Sequence, residues 1–429
     1  MKPIKLDFNA RALRGNLSMP GDKSISHRAI ILGSIANGTT TVKNFLPAKD
    51  CLRTLEVFRC LGVQIVQDNY TVTIDGKGIA GLVEPDKPLY FGNSGTTARL
   101  MLGLLSGLPF FTTVYGDQSL SQRPMDRVIK PLKMMGASIF GRDSHTRLPL
   151  AINGQPLSSI TYEMEIESAQ VKSAILLAGL YAEGETTVIE RIPTRNHTEL
   201  MLKHFGGSLK TRNNQISIQG KQQLKATQIN VPGDFSSAAF FIAGALILQN
   251  SQLVIKNIGL NPTRTGMLDV LWQMGAHIQV SDIKETNGER VGNLTIETSN
   301  LCGITIDGKL IPRLIDELPI ISLIATQAEG QTVIKNAEEL RVKETDRIKA
   351  VVDVLTTLGA SIKETADGMI INGKTTLIGG SVSAYGDHRM AMMIIIASLI
   401  TKEPIYIDDL SCMNISYPRF IHDLKQIVI

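Results

Sequence analysis

Cysteine is scarce: the 429 residues contain four, Cys51, Cys60, Cys302 and Cys412. They show no short metal-type pairing, and they are too few to build a disulfide framework. A reducing compartment suits such a chain. An excess of one charge is also missing, since 44 Lys and Arg face 40 Asp and Glu with no basic block, which argues against a nucleic-acid surface. Positive charge that matters must therefore be local. The longest apolar run, residues 390–400, is interrupted by Ser398 and falls far short of the roughly 20 residues of a membrane helix. The first seven residues carry neither an apolar signal core nor Arg/Ser-rich transit character. These absences predict a soluble cytoplasmic protein.

What is present points to two domains. The chain is longer than one hydrophobic core usually supports, and 43% of it is hydrophobic. A glycine signature recurs at the end of amphipathic runs, in Leu61-Gly62-Val63, Met135-Gly136-Ala137, Phe205-Gly206-Gly207, Met274-Gly275-Ala276 and Leu358-Gly359-Ala360. The copies lie about 70 to 85 residues apart, which argues for duplication. Before the last copy, Ile348, Val351, Val352, Leu355 and Leu358 mark one buried helical face, and the glycine reads as a C-cap.

Upstream of each signature, a short polar turn opens an apolar helix rich in small residues, and a β-branched strand follows. The turns include Pro20-Gly21-Asp22-Lys23-Ser24, Gly92-Asn93-Ser94-Gly95-Thr96, Glu167-Ser168-Ala169-Gln170, Pro232-Gly233-Asp234-Phe235-Ser236, the region of Asp316, and Tyr385-Gly386-Asp387-His388-Arg389. Strands are expected at 39–42, 112–114, 186–189, 253–255, 332–334 and 405–407. Six units of strand, helix, strand, helix and hairpin result. The sixth runs out of chain before its hairpin, so residues 4–12 are expected to add a strand there. Domains are accordingly placed at 1–18 plus 230–429 and at 19–229, with the active site in the cleft between them. Helices as apolar as residues 390–399 belong inside each domain.

Six helix mouths offer anion sites, because the first backbone N–H groups lack intrahelical partners and the helix dipole adds positive charge. Lys23, Arg28, Arg123, Lys343, Arg347 and Arg389 stand at or near them, enough for two or three anionic groups. Lys23, Ser24 and Arg28 converge if a helix starts near Ser24. In Arg341-Val342-Lys343-Glu344-Thr345-Asp346-Arg347, Glu344 alternates with cations and could move a proton; a solvated helix start is the alternative. Asp316 is a candidate base or an N-cap. His388 and His27 read equally as acid–base groups or as structural histidines. Arg123, before Pro124 at a helix start, suits a bidentate grip on phosphate or carboxylate. Gly95 would let a ligand approach the backbone. Ser168 and Gln170 could donate neutral hydrogen bonds or cap a helix.

Taken in order, the turn at Lys23 with Arg28, Asn93-Ser94-Gly95-Thr96-Thr97, Gln122-Arg123-Pro124-Met125, Ser168-Ala169-Gln170, the 341–347 stretch and Asp387-His388-Arg389-Met390-Ala391-Met392 resemble the 5-enolpyruvylshikimate-3-phosphate synthase family. The resemblance implies an α/β fold of two domains, each of three βαβαββ units around a pseudo-threefold axis with its helices buried, an inside-out α/β barrel. It implies transfer of the enolpyruvyl group of phosphoenolpyruvate to the 5-hydroxyl of shikimate 3-phosphate through a tetrahedral adduct, without cofactor or metal, by a monomer. Carried over, Lys23, Ser24, Arg28, Ser168, Gln170, Asp316 and Lys343 would bind shikimate 3-phosphate, with Thr194 and Arg195 sharing the phosphate. Lys23, Gly95, Arg123, Gln170, Arg347 and Arg389 would hold phosphoenolpyruvate. Asp316 would be the base for the hydroxyl, and Glu344 would protonate and later deprotonate C3. Lys23 completes the catalytic set.

The chain departs from many members at Ala169, Leu100, His197, Glu339 and Ile415, and is similar to a second, divergent branch. The resemblance implies that the lysine some members carry near Ile415 is lost, which leaves the phosphoenolpyruvate site with one fewer cation. A UDP-N-acetylglucosamine enolpyruvyl transferase is the nearest alternative, but it needs a loop cysteine and residues 116–122 have none. An RNA 3′-phosphate cyclase shares the repeat unit, yet the balanced charge and the small-anion motifs disfavour it. Glu344 and Asp316 argue against a non-catalytic binding module.

Overall fold

Six helices have almost no polar face, and a helix that is apolar all round has to be buried. Lys23–Ile35, Gly95–Ser106 and Ala169–Gly179 form one set, and Phe235–Ile247, Leu318–Gln327 and His388–Ala397 the other. The structure, a computed structural model, describes residues 3–8 and 10–429. Asn9, inside the stretch expected to add a strand, lies outside the described residues, as do Met1 and Lys2.

Capping explains where these helices start. Asp22, Ser94, Ser168, Asp234 and Asp387 each accept a hydrogen bond from a backbone N–H of the first turn, satisfying one orphan donor. Leu318–Gln327 differs, since Glu317 precedes it without a side-chain cap. The five glycine signatures all end the second, amphipathic helix in the same way. Each glycine sits one residue beyond the cap at positive φ, from +81° to +98°. The next N–H reaches back to the last turn, as in Val63 to Phe58, Ala137 to Leu132, Gly207 to Leu202, Ala276 to Leu271 and Ala360 to Leu355. This is the Schellman arrangement, which places glycine just past the C-cap residue rather than at it.

The chain divides into two compact units, Met1–Pro20 with Pro232–Glu285 and Arg290–Ile429, and Gly21–Val231 with Thr286–Glu289. In the second unit, strand Phe111–Tyr115 lies between Leu89–Tyr90, its parallel neighbour, and Arg147–Asn153, its antiparallel neighbour, with Ser138–Gly141 at the edge. The sheet around Glu185–Ile189 repeats this order with Thr161–Glu163, Gln215–Gln219 and Leu209–Arg212. Around Ala36–Lys43 the parallel partners are Leu224–Lys225 and Gln228–Asn230, from the end of the segment, so the three sheets close into a cycle. The helices are inside and the sheets outside, an inside-out α/β fold.

The first unit repeats the pattern with help from the N-terminus. Arg14–Ser18 runs parallel to Gln252–Gly259, and Ile4–Leu6 pairs antiparallel with Ile405–Ile407. Two strands are therefore contributed where one was expected. The reason is that Gln228–Asn230, the strand preceding the fourth helix, is used in the other unit, so the fourth repeat takes its opening strand from residues 14–18. The unit boundaries also lie two residues later than expected. Pro20 accepts from Asp234 N–H, while Val231 donates to Lys43 and accepts from Asn44, which assigns 19–20 and 230–231 to opposite units. Thr286–Glu289 was expected with residues 230–429 but groups with the Gly21–Val231 unit, where Asn287 and Glu289 find their partners. Each unit has its own apolar core. No helix among the described residues is long and apolar enough to cross a membrane.

Candidate active site

In the unit of Gly21–Val231, the mouth of helix Lys23–Ile35 carries Lys23, whose ammonium lies 3.1 Å from the Asp50 carboxylate. Arg28, one turn on, is 4% exposed. Its Nε donates to Thr198 Oγ1 at 2.7 Å, Nη1 to the Ser24 carbonyl at 3.0 Å and Nη2 to Ser173 Oγ at 2.8 Å. All three partners are neutral. Burial lowers this guanidinium to about 10, against the pull of Glu199, Asp22 and Glu289 and with Arg195 adding to the fall. His27, also buried, is held well below its usual range by burial and by the Lys23 and Arg28 charges. Its Nδ1 meets Thr54 Oγ1 at 2.7 Å, inside the core, which favours its structural reading over an acid–base one.

At the second mouth, Arg123 Nη2 donates to Asn93 Oδ1 at 2.7 Å and to Ser119 Oγ at 3.3 Å. Arg123 itself ends the short helix Gln118–Gln122, and the next helix begins only at Asp126, so Pro124 lies ahead of the helix rather than in its first turn. Gly95 faces two guanidinium groups: a Cβ there would stand 2.8 Å from Arg99 Nη1 and 3.3 Å from Arg123 Nη1. Gln170, at the third mouth, accepts from Arg99 Nη1 at 2.7 Å and donates to Thr96 Oγ1 at 3.0 Å. Ser168 caps its helix. Thr194 is turned inward, giving both its N–H and its hydroxyl to Glu190 Oε1. His197, 2% exposed, pairs with Glu289 at 2.6 Å.

The other unit collects carboxylates around guanidinium groups. Arg347, 1% exposed at the start of helix Arg347–Thr357, meets Asp387 at 2.7 Å, Glu344 at 2.6 Å and Asp316 at 3.4 Å. Burial alone would lower it, but Asp387, Glu344 and Asp316 outweigh burial and raise it. Asp316 lies in the turn between Ile311–Leu314 and Leu318–Gln327, where Glu317 holds the cap position, so the N-cap alternative for Asp316 falls. Besides Arg347, its carboxylate has Arg389 at 3.5 Å and Arg264 at 3.8 Å. Arg389 also donates to the Asp316 carbonyl at 3.0 Å. Lys343, 3.5 Å from Glu339, is lowered chiefly by burial, with Glu339 and Asp316 opposing. His388 is buried, its Nδ1 4.0 Å from Asp387. Ile415 packs against the core.

One unit brings Gly95, Arg123 and Gln170 together around Arg99, and the other joins Asp316, Glu344, Arg347 and Arg389 through ion pairs. Several charged neighbours of these residues were not anticipated from the sequence: Asp50, Arg99, Arg264 and Asp387 as a charge partner. Arg99 follows Gly95 by one turn, and Arg264 lies in Asn261-Pro262-Thr263-Arg264, signals that could have found them. Chemically, one set offers cations and hydroxyls for an anion, and the other offers carboxylates fixed by guanidinium groups for proton transfer.

A family model described as EPSP synthase (3-phosphoshikimate 1-carboxyvinyltransferase) matches residues 9–424. A 3-phosphoshikimate 1-carboxyvinyltransferase from Oceanobacillus iheyensis is 54% identical over 428 residues, covering 100% of both chains. The solved EPSP synthase of Acinetobacter baumannii superposes with a TM-score of 0.89 at 44% identity, over 100% of this chain and 98% of that one. An enolpyruvyl transferase from Streptomyces tendae, at TM-score 0.81 and 16% identity over 99% and 97%, shares the fold.

Proposed function

The chain belongs to the EPSP synthase family, and from that premise we propose how its two sets of side chains divide the reaction. The reaction is enolpyruvyl transfer from phosphoenolpyruvate to shikimate 3-phosphate, a shikimate-pathway step toward the aromatic amino acids. In our reading Lys23, Ser24, Arg28, Ser168, Gln170 and Arg195 bind shikimate 3-phosphate, joined by Asp316 and Lys343. Thr194, turned toward Glu190, holds Arg195 in place rather than touching the phosphate. Lys23, Gly95, Arg123, Gln170, Arg347 and Arg389 hold phosphoenolpyruvate.

The chemistry follows from charge. Asp316 accepts the proton of the 5-hydroxyl as its oxygen bonds to C2 of phosphoenolpyruvate, while Glu344 delivers a proton to C3. The tetrahedral adduct then loses a C3 proton to Glu344 and expels phosphate as the enol ether forms. Cationic side chains stabilise the departing phosphate, which is why we assign no metal or cofactor to the step. Both sets act on one pair of substrates, and we infer that the protein works as a monomer in the cytoplasm. The observation that carries the assignment is Glu344, partly exposed yet held at 2.6 Å by Arg347, a carboxylate fixed and still reachable. Phosphate release by the purified protein should require both shikimate 3-phosphate and phosphoenolpyruvate. Turnover of UDP-N-acetylglucosamine in place of shikimate 3-phosphate would sink the reading.

A further inference from the structure

Lys172 is the one charged residue of helix Ala169–Gly179, and its side chain is 0% exposed. Its ammonium lies 2.7 Å from Glu199 and 3.0 Å from Glu190, and it also donates to the Thr194 carbonyl at 3.4 Å. Burying three charges is costly, and well-packed apolar residues of the same volume often serve stability as well. The position of the partners suggests what the charge does. Glu190 follows strand Glu185–Ile189 and accepts from the N–H and hydroxyl of Thr194, the residue before Arg195. Glu199 stands in the first turn of helix His197–His204, next to Thr198, which receives Arg28 Nε. Ser173, the neighbour of Lys172, receives Arg28 Nη2 and shares a hydrogen bond with Thr198 at 2.6 Å. One ammonium therefore ties together the turn that carries Arg195 and the turn that seats Arg28.

We propose that Lys172 is a positioning residue for the phosphosugar half-site: through Glu190 and Glu199 it sets where Arg195 and Arg28 stand when shikimate 3-phosphate arrives. This rests on the assignment of Arg28 and Arg195 to that substrate. Lys172 touches no substrate itself.

The test separates positioning from stability. Lys172→Met leaves two buried carboxylates without their cation, so it is compared with Lys172→Met/Glu190→Gln/Glu199→Gln, which removes all three charges. The triple variant should melt near the wild type, raise KM for shikimate 3-phosphate on the order of tenfold, and keep kcat and KM for phosphoenolpyruvate within about twofold. A folded triple variant with wild-type KM for shikimate 3-phosphate overturns the proposal, as does an equal loss in both KM values and kcat. Thr194→Val removes only the hydroxyl link; it should raise the same KM about two- to threefold, and no change there counts against the proposal even if the triple variant does not fold. Arg195→Met checks the underlying assignment: an unchanged KM there removes the half-site reading itself, whereas a raised KM beside unaffected Lys172 variants removes only the positioning role.

Discussion

Arg28 and Arg347 are buried to a similar degree, at 4% and 1% exposure, and they keep opposite company. Arg28 gives its hydrogen bonds to two hydroxyls and a carbonyl, and burial drags it down to about 10. Arg347 is ringed by Asp387, Glu344 and Asp316, which more than offset burial and raise it. The first is a cation that an incoming anion would relieve. The second is already matched by carboxylates, so beyond any anion it holds it fixes the carboxylates that surround it. Arg28 thus keeps its charge for an anion, whereas Arg347 also fixes the carboxylates of proton transfer beside the phosphoenolpyruvate it helps to hold.

The largest expected effect tests the second half of that contrast. Arg347→Met strands Asp387, which is fully buried, and should cost about 3 to 5 kcal/mol in urea unfolding of the unit. Arg28→Met should cost much less, because Ser173 and Thr198 already hydrogen-bond to each other. Its effect belongs to binding: KM for shikimate 3-phosphate should rise about ten- to hundredfold while KM for phosphoenolpyruvate holds. If the two arginines destabilised equally and both raised the same KM, the contrast would be lost.

A smaller effect sharpens the description of the Arg28 surroundings. Burial and the Lys23 and Arg28 charges hold His27 below its ordinary 6.5, so in the folded protein it stays neutral where the unfolded chain takes up a proton. Stability from this group is therefore complete above about pH 6.5 and falls as pH drops from there toward the lowered folded value, by up to about 1.4 kcal/mol per pH unit. His27→Asn should flatten that part of the stability–pH curve. An unchanged slope would mean that other groups produce it.

The repeat was legible in the sequence because it is written in backbone chemistry. Capping residues such as Asp22, Ser94 and Asp234, and glycines such as Gly62 and Gly359 past the helix ends, declare local conformation without needing a partner. Side-chain direction was not legible. Thr194 turns in toward Glu190 of the same loop, Asp316 leaves the cap position to its neighbour Glu317, and Arg28 is drawn to Thr198 on a distant helix, choices that sequence pattern alone does not make. The N-terminal strands show the same limit: that residues near Ile4 would pair was readable, while the need for Arg14–Ser18 in another sheet depended on where Gln228–Asn230 went. Lys172 drew no reading from the sequence, because its meaning required Glu190 and Glu199.

The central claim is that the neutralised set performs the proton transfers, and Glu344 tests it most directly. Turnover of shikimate 3-phosphate and phosphoenolpyruvate in deuterated water labels C3 of the product, because the adduct's methyl group mixes solvent and substrate hydrogen before one is removed. With Glu344→Gln, turnover and label incorporation should fall together by on the order of 10²-fold or more, with both KM values close to wild type. Label appearing at the wild-type rate in that variant would contradict the account.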